Sequence, residues 1–179
     1  QRQHQPLISR DSPAVITARF ELASGNGRKH QCPMKLFGLT GGIGMGKSAA
    51  AHILSQRGVM IQDTDELARS VVAPSQPALA EIQRTFGDEV ISPEGTLRRD
   101  VLARIVFADP AGRHKLEAIL HPLIRNLWKK QVETWRTLNK QKAACVVIPL
   151  LFETNAENEF DATICIACSP STQRSRLAI

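Results

Sequence analysis

Four short, mostly apolar runs recur along the chain: Lys35–Thr40, Val59–Ile61, Ala144–Ile148 and Ala162–Ala167. Polar or turn residues bound each of them. Near-continuous apolar runs of this kind predict strands of a parallel sheet covered on both faces. Between them the apolar positions recur every three or four residues, which predicts helices. Ser48–Gln56 is one, with Gly58 as its stop. Glu66–Val72, Ala78–Phe86 and Arg99–Ala108 follow, the second closed by Gly87. Asp109 caps a helix that begins with Pro110 and runs towards Leu120. His121-Pro122 is expected to interrupt it. A long helix then covers Leu123–Leu138, with Leu123, Leu127, Val132, Trp135 and Leu138 near one face. Ser169-Pro170 opens a final helix. The Cys165-Ile-Ala-Cys168 pair falls largely in a strand-like run, where positions three apart face opposite sides.

Residues 1–33 show no such period. They are rich in Gln, Arg, Ser, Pro and Gly, and Met34 stands directly before the first apolar run. The expectation is a disordered or non-native extension ahead of a domain that spans residues 34–179.

The first two strands bracket the most informative segment, Gly41-Gly42-Ile43-Gly44-Met45-Gly46-Lys47-Ser48. It fits G-x-x-x-x-G-K-[ST], the phosphate-binding P-loop. A loop that wraps a polyphosphate must turn backbone N–H groups inward and let the chain approach closely, which needs glycine. Gly42, Ile43, Gly44, Met45 and Gly46 are the candidate cradle for ATP. Lys47 is placed to reach the outer phosphates and Ser48 to ligate Mg²⁺. The helix behind the loop adds its positive end. A strand before and a helix after are the context that the motif requires. The expected fold class is therefore α/β: a three-layer P-loop nucleotide-hydrolase or kinase fold with a parallel sheet. A helical insertion spans about 66–140. A sheet of this type normally continues, so the C-terminal part is expected to be missing.

Composition narrows the partners. The formal charge is +6, from 23 Lys+Arg and 17 Asp+Glu. Residues 1–33 hold five of the basic and two of the acidic residues, so they supply half of that charge. A modestly basic domain suits a polyanionic small ligand. Aromatics are 4% and Tyr is absent, so no base-stacking platform for nucleic acid is expected. No run approaches the ~20 apolar residues of a membrane span. Cys32, Cys145, Cys165 and Cys168 outline no disulfide framework. They are expected to be buried, reduced thiols of a cytoplasmic protein.

A P-loop specifies nucleotide phosphate and leaves the reaction open. No Asn-Lys-x-Asp base-reading signature occurs, which argues against a GTPase. Asp63-Thr64-Asp65 ends the second strand, at the carboxyl edge where ligands bind in open α/β sheets. A carboxylate there can take the proton of an attacking hydroxyl or hold Mg²⁺ through water. Asp63 with Glu66 resembles a capping box, which makes Asp65 the better candidate for the base.

Five segments then add up to a resemblance. Leu39–Ser48 resembles the opening of dephospho-CoA kinase, and Asp63-Thr64-Asp65-Glu66-Leu67-Ala68-Arg69 resembles its D-x-D-x-x-A-R segment. Leu97-Arg98-Arg99 with Ile105-Val106-Phe107, Leu116–Pro122, and Pro149-Leu150-Leu151-Phe152-Glu153 follow in family order. The resemblance implies transfer of the ATP γ-phosphate to the 3′-hydroxyl of dephospho-CoA, the last step of coenzyme A synthesis. It implies Asp65 as general base and the helical insertion as the acceptor-binding part. Arg98, His121 and Glu153 become candidate contacts there. Arg98 and His121 also read as helix-boundary residues, and Glu153 as a loop cap. Arg176, in Gln173-Arg174-Ser175-Arg176, matches the lid arginine that neutralises the phosphates. ATP with Mg²⁺ and dephospho-CoA are the implied partners. Another small-molecule P-loop kinase and a nucleotide-binding module without transfer are the alternatives. Trp128 and Trp135 read as packing residues.

Overall fold

The computed structural model describes residues 14–19, 34–138 and 141–178. The chain divides into two compact units, residues 1–63 with 132–179 and residues 64–131.

The first unit is built on a five-stranded sheet. Its strands are β1 (Ala14–Arg19), β2 (Lys35–Thr40), β3 (Met60–Asp63), β4 (Ala143–Val147) and β5 (Ala162–Cys168), in the order β1-β5-β2-β4-β3. The last four are mutually parallel, and β1 pairs antiparallel with β5 at the edge. The parallel pairing follows from the apolar runs. Ala144, Cys145, Val146 and Val147 are all buried, as a strand with both faces covered must be. Leu39, Cys145, Val147 and Ile166 form the core with Ala50 of α1 (Lys47–Gln56), and Ala51 and Leu54 of that helix pack beside them. Burial alone drives the Cys145 thiol up to about 12, so it stays protonated.

Strand β1 falls inside the stretch expected to lack regular structure. The remainder of residues 1–33, Cys32 included, lies outside the described residues. Strand β3 ends at Asp63, where the Asp63-Thr64-Asp65 segment was expected to end it, so the acid itself belongs to the sheet. Among the described residues Cys145 is buried, Cys168 is half-buried and Cys165 is exposed, which corrects the expectation of uniformly buried thiols. Cys165 and Ala167 share the outward face of β5, while Ile166 alternates into the core.

One cross-link ties the sheet to the turn before β5. Asp161 accepts from Lys35 Nζ at 2.9 Å and from the Leu36 N–H at 2.8 Å. Partial burial pushes its carboxyl up. The hydrogen bonds from Leu36 and Lys35, with the charges of Lys35 and Arg136, outweigh that and leave it below the ordinary value. A depressed carboxylate contributes stability above its unfolded value of about 4 and loses it as pH falls through its folded value. The carboxylate is more than one-third exposed, so solvent screens the pair. Asp161→Ala is expected to cost about 1 kcal/mol at neutral pH. The gap from wild type should narrow below about pH 4 in thermal melts across pH.

The second unit is helical. It holds α2 (Thr64–Ser70), α3 (Pro77–Phe86), α4 (Arg99–Ala108) and the greater part of α5 (Pro110–Leu138). Its core gathers Val71, Val72, Ile82, Val90, Val101 and Leu102, with Leu116, Ile119, Leu120 and Ile124 packed against them. Asp109 caps α5 as expected, its carboxylate accepting from the N–H groups of Ala111 and Gly112, both at 2.9 Å. Helix α5 does not break at His121-Pro122. It continues through Pro122, whose missing N–H leaves one turn without its hydrogen bond. The long periodic apolar stretch on either side outweighs that single loss. Its buried positions near the end are Trp128, Val132 and Trp135, whereas Leu123, Leu127 and Leu138 are exposed. The expected stripe was therefore rotated by part of a turn. Both tryptophans are buried packing residues, as expected. No helix among the described residues is long and apolar enough to cross a membrane.

Candidate active site

Because β2, β3, β4 and β5 are parallel, their carboxyl ends share one edge of the sheet. The P-loop leaves β2 there. Asp63 ends β3, the Pro149–Asn155 turns follow β4, and Ser169 leads from β5 into α6 (Pro170–Leu177). The register aligns Leu39 with Val147 and Val147 with Asp63 across three neighbouring strands. Two strand spacings separate the P-loop strand from Asp63, about 10 Å. The Thr40 hydroxyl, buried at the strand end, donates to the Pro149 carbonyl at 3.0 Å, and the Ile148 N–H donates to Leu39 at 2.9 Å. These bonds brace the base of the loop against the turn after β4.

The loop has the backbone that the motif demands. At Gly41, φ is +149°, and a Cβ placed there would lie 2.3 Å from the Ile166 carbonyl oxygen. The obstacle is the backbone of β5, which cannot move aside, so only glycine fits. Gly44 and Gly46 have φ of +73° and +100°. Helix α1 starts at Lys47, directly behind Gly46, so its first N–H groups open towards the loop without intrahelical acceptors. That end carries the positive pole of the helix. Lys47 is partly buried and folds back over the loop, donating to the carbonyls of Gly41 at 2.7 Å and Gly42 at 3.2 Å. Ser48 is exposed in the first turn of α1.

Helix α6 lies against the same loop. Gln173 Nε2 donates to the Ile43 carbonyl at 2.8 Å, and Arg176 Nη1 donates to the Gly44 carbonyl at 3.2 Å. The Ser169 hydroxyl caps the helix by accepting from the Thr172 N–H at 3.2 Å, and Pro170 occupies its first turn. Arg176 is therefore brought to the P-loop, as expected. Gln173 belongs to the Gln173-Arg174-Ser175-Arg176 segment that the resemblance outlines. Nothing in the spacing distinguished it, because its partner lies 130 residues away in sequence.

The other expected residues are distributed differently. Asp65 is exposed in the first turn of α2, two residues beyond the end of β3, and belongs by contacts to the helical unit. Arg98 is exposed at the N-cap of α4, where its guanidinium donates to the Glu89 carbonyl at 3.3 Å. His121 is exposed within α5. Arg98 thus occupies a helix start, and His121 a helix interior rather than a boundary. Leu150-Leu151-Phe152 forms a turn, with Leu151 fully buried and Glu153 exposed beside it. Thr154 closes it by returning both its N–H and its hydroxyl to the Leu150 carbonyl.

Comparison with known proteins places this arrangement. The profile of the dephospho-CoA kinase family matches residues 35–179. A dephospho-CoA kinase of Moorella thermoacetica is 44% identical over 144 residues, covering 80% of this chain and 68% of the relative. One from Anaeromyxobacter dehalogenans is 46% identical over 145 residues, with the same coverage. Among solved structures, a protein of Thermus thermophilus is similar with a TM-score of 0.70 at 32% identity, over 82% of this chain and 72% of that one. Dephospho-CoA kinase from Campylobacter jejuni has a TM-score of 0.57 at 29% identity, over 69% and 61%.

Proposed function

This chain belongs to the dephospho-CoA kinase family, and we infer that it transfers the γ-phosphoryl group of ATP to the 3′-hydroxyl of dephospho-CoA, giving coenzyme A. The observation that carries the reading is a complete P-loop at the head of a parallel sheet, in a chain matched from residue 35 to residue 179 by that family. In the reaction the acceptor oxygen forms a bond to the γ-phosphorus as the bond to the bridging oxygen of ADP breaks. The acceptor hydroxyl loses its proton. Chemistry of this kind is mostly positioning and charge neutralisation.

We assign the roles as follows. The N–H groups of the loop and of the first turn of α1 bind the phosphates. Lys47 exchanges its bonds to the Gly41 and Gly42 carbonyls for the outer phosphates. Arg176 adds a second positive charge from α6. Asp65 takes the proton of the acceptor hydroxyl, with Asp63 as the neighbouring carboxylate at the end of the strand. Arg98, His121 and Glu153 are the candidate contacts to the acceptor.

Mg²⁺ fits these residues. Among the described residues no cluster of three His, Cys, Asp or Glu could hold a metal by itself. Mg²⁺ is characteristically held by one or two protein oxygens together with substrate phosphates. The exposed Ser48 hydroxyl, with the Asp63 carboxylate through water, would supply them. The ion would neutralise charge on the phosphate oxygens.

The test is a mass-spectrometric assay with ATP, Mg²⁺ and a panel of dephospho-CoA, AMP, CMP, shikimate and gluconate. One added phosphate on dephospho-CoA alone is the expected result. Transfer to another member would replace the acceptor and keep the kinase. Transfer to none, with ATP still bound, would leave a nucleotide-binding module.

A further inference from the structure

We propose that Gln173 is a positioning residue that holds the phosphate-binding loop in its binding conformation through the Ile43 carbonyl. The proposal rests on reading that loop as the ATP site. Gln173 is partly buried in the first half of α6, and its amide reaches the Ile43 carbonyl at 2.8 Å. A trans peptide is planar, with its C=O and N–H pointing in opposite directions. No cis peptide occurs among the described residues. Holding the Ile43 carbonyl towards α6 therefore turns the Gly44 N–H away from α6. That N–H makes no backbone hydrogen bond among the described residues. An uncommitted donor in such a loop is what a phosphate oxygen accepts from.

The turn around this peptide is closed by the Met45 N–H on the Gly42 carbonyl at 3.3 Å, but no bond from within the loop reaches the Ile43 carbonyl among the described residues. The Ile43 side chain is 73% exposed, so burial does not anchor it. Gly44, at φ +73°, has glycine's wide freedom. What touches it comes from α6: a Cβ at Gly44 would lie 3.1 Å from Leu177 and 3.5 Å from Gln173. Without the amide the Ile43–Gly44 peptide can rotate, and its ordering would be charged against ATP binding. Arg176 makes the neighbouring bond but also carries charge. Gln173 is neutral, so it separates loop geometry from electrostatics.

The experiment is calorimetric titration of ATP into the wild-type chain, Gln173→Met and Gln173→Glu, with melting temperatures measured without nucleotide. Met keeps length and helix propensity but removes the donor. Gln173→Met is expected to weaken ATP binding about tenfold, from the loss of one hydrogen bond and of the ordering it gives the loop. Its melting temperature should stay within about 2 °C of wild type, and its KM for dephospho-CoA within about twofold. ATP binding unchanged in Gln173→Met would overturn the proposal. So would weakening confined to Gln173→Glu, which would trace to charge repulsion. A large drop in the melting temperature of Gln173→Met would make the residue structural and overturn it too. The titration does not involve the acceptor. A wild-type chain that binds ATP but leaves dephospho-CoA unmodified would sink the acceptor assignment and spare this one. A wild-type chain that does not bind ATP would sink the reading of the loop, and the proposal with it.

Discussion

Asp65→Asn is expected to lower turnover by about 10²- to 10⁴-fold, the range for loss of a general base. ATP affinity should stay within about twofold, because the role proposed for the carboxylate is on the acceptor rather than on the phosphates. Asn keeps the size and the acceptor oxygen of Asp but cannot take a proton at neutral pH. Asp65 is exposed in the first turn of α2, immediately beyond the strand that delivers Asp63 to the edge of the sheet. A carboxylate in that position suits the positive end of its helix. Asp63→Asn is the control. Rapid-quench measurement of both variants with ATP and dephospho-CoA distinguishes them. Retained turnover in Asp65→Asn, with loss in Asp63→Asn, would transfer the role to Asp63. Retention in both would remove general-base catalysis by this pair from the mechanism.

Lys47→Met should lower kcat by about 10²- to 10³-fold, comparable to removing one preorganised donor from a developing charge. ATP binding should weaken as well, since the role proposed for Lys47 is to meet the phosphates in both ground and transition states. The structure adds a reason to expect little effect on stability. Lys47 satisfies the carbonyls of Gly41 and Gly42 at the loop surface, and Gly42 is exposed, so water can replace it there. Kinetics with melting temperatures check both halves. Turnover close to wild type would remove Lys47 from the chemistry, and a collapse in melting temperature would make it a structural lysine.

Much of the sheet was legible because its signals are local. Four apolar runs corresponded to the four parallel strands, and Arg99–Ala108 formed a helix with those bounds. The P-loop was legible for the same reason: strand, glycines, lysine, serine and helix are contiguous, and each has a demand that sequence can express. Errors arose where distant or competing interactions decided the outcome. Pro122 normally ends a helix, yet the surrounding packing carries α5 through it. Strand β1 lacked a readable period and exists by pairing with β5.

The sequence by itself determined the family to which the chain belongs and the segment that forms the glycine-rich loop after β2. Those depend on short runs whose backbone and chemistry are set by their own residue types. Only the tertiary structure decided that α6 lies on the P-loop and that Gln173 and Arg176 hold the carbonyls of Ile43 and Gly44. The physical reason is sequence separation. A hydrogen bond between residues 43 and 173 leaves no periodicity at either end, and it forms only once parallel pairing has brought the ends of β2 and β5 to one edge of the sheet.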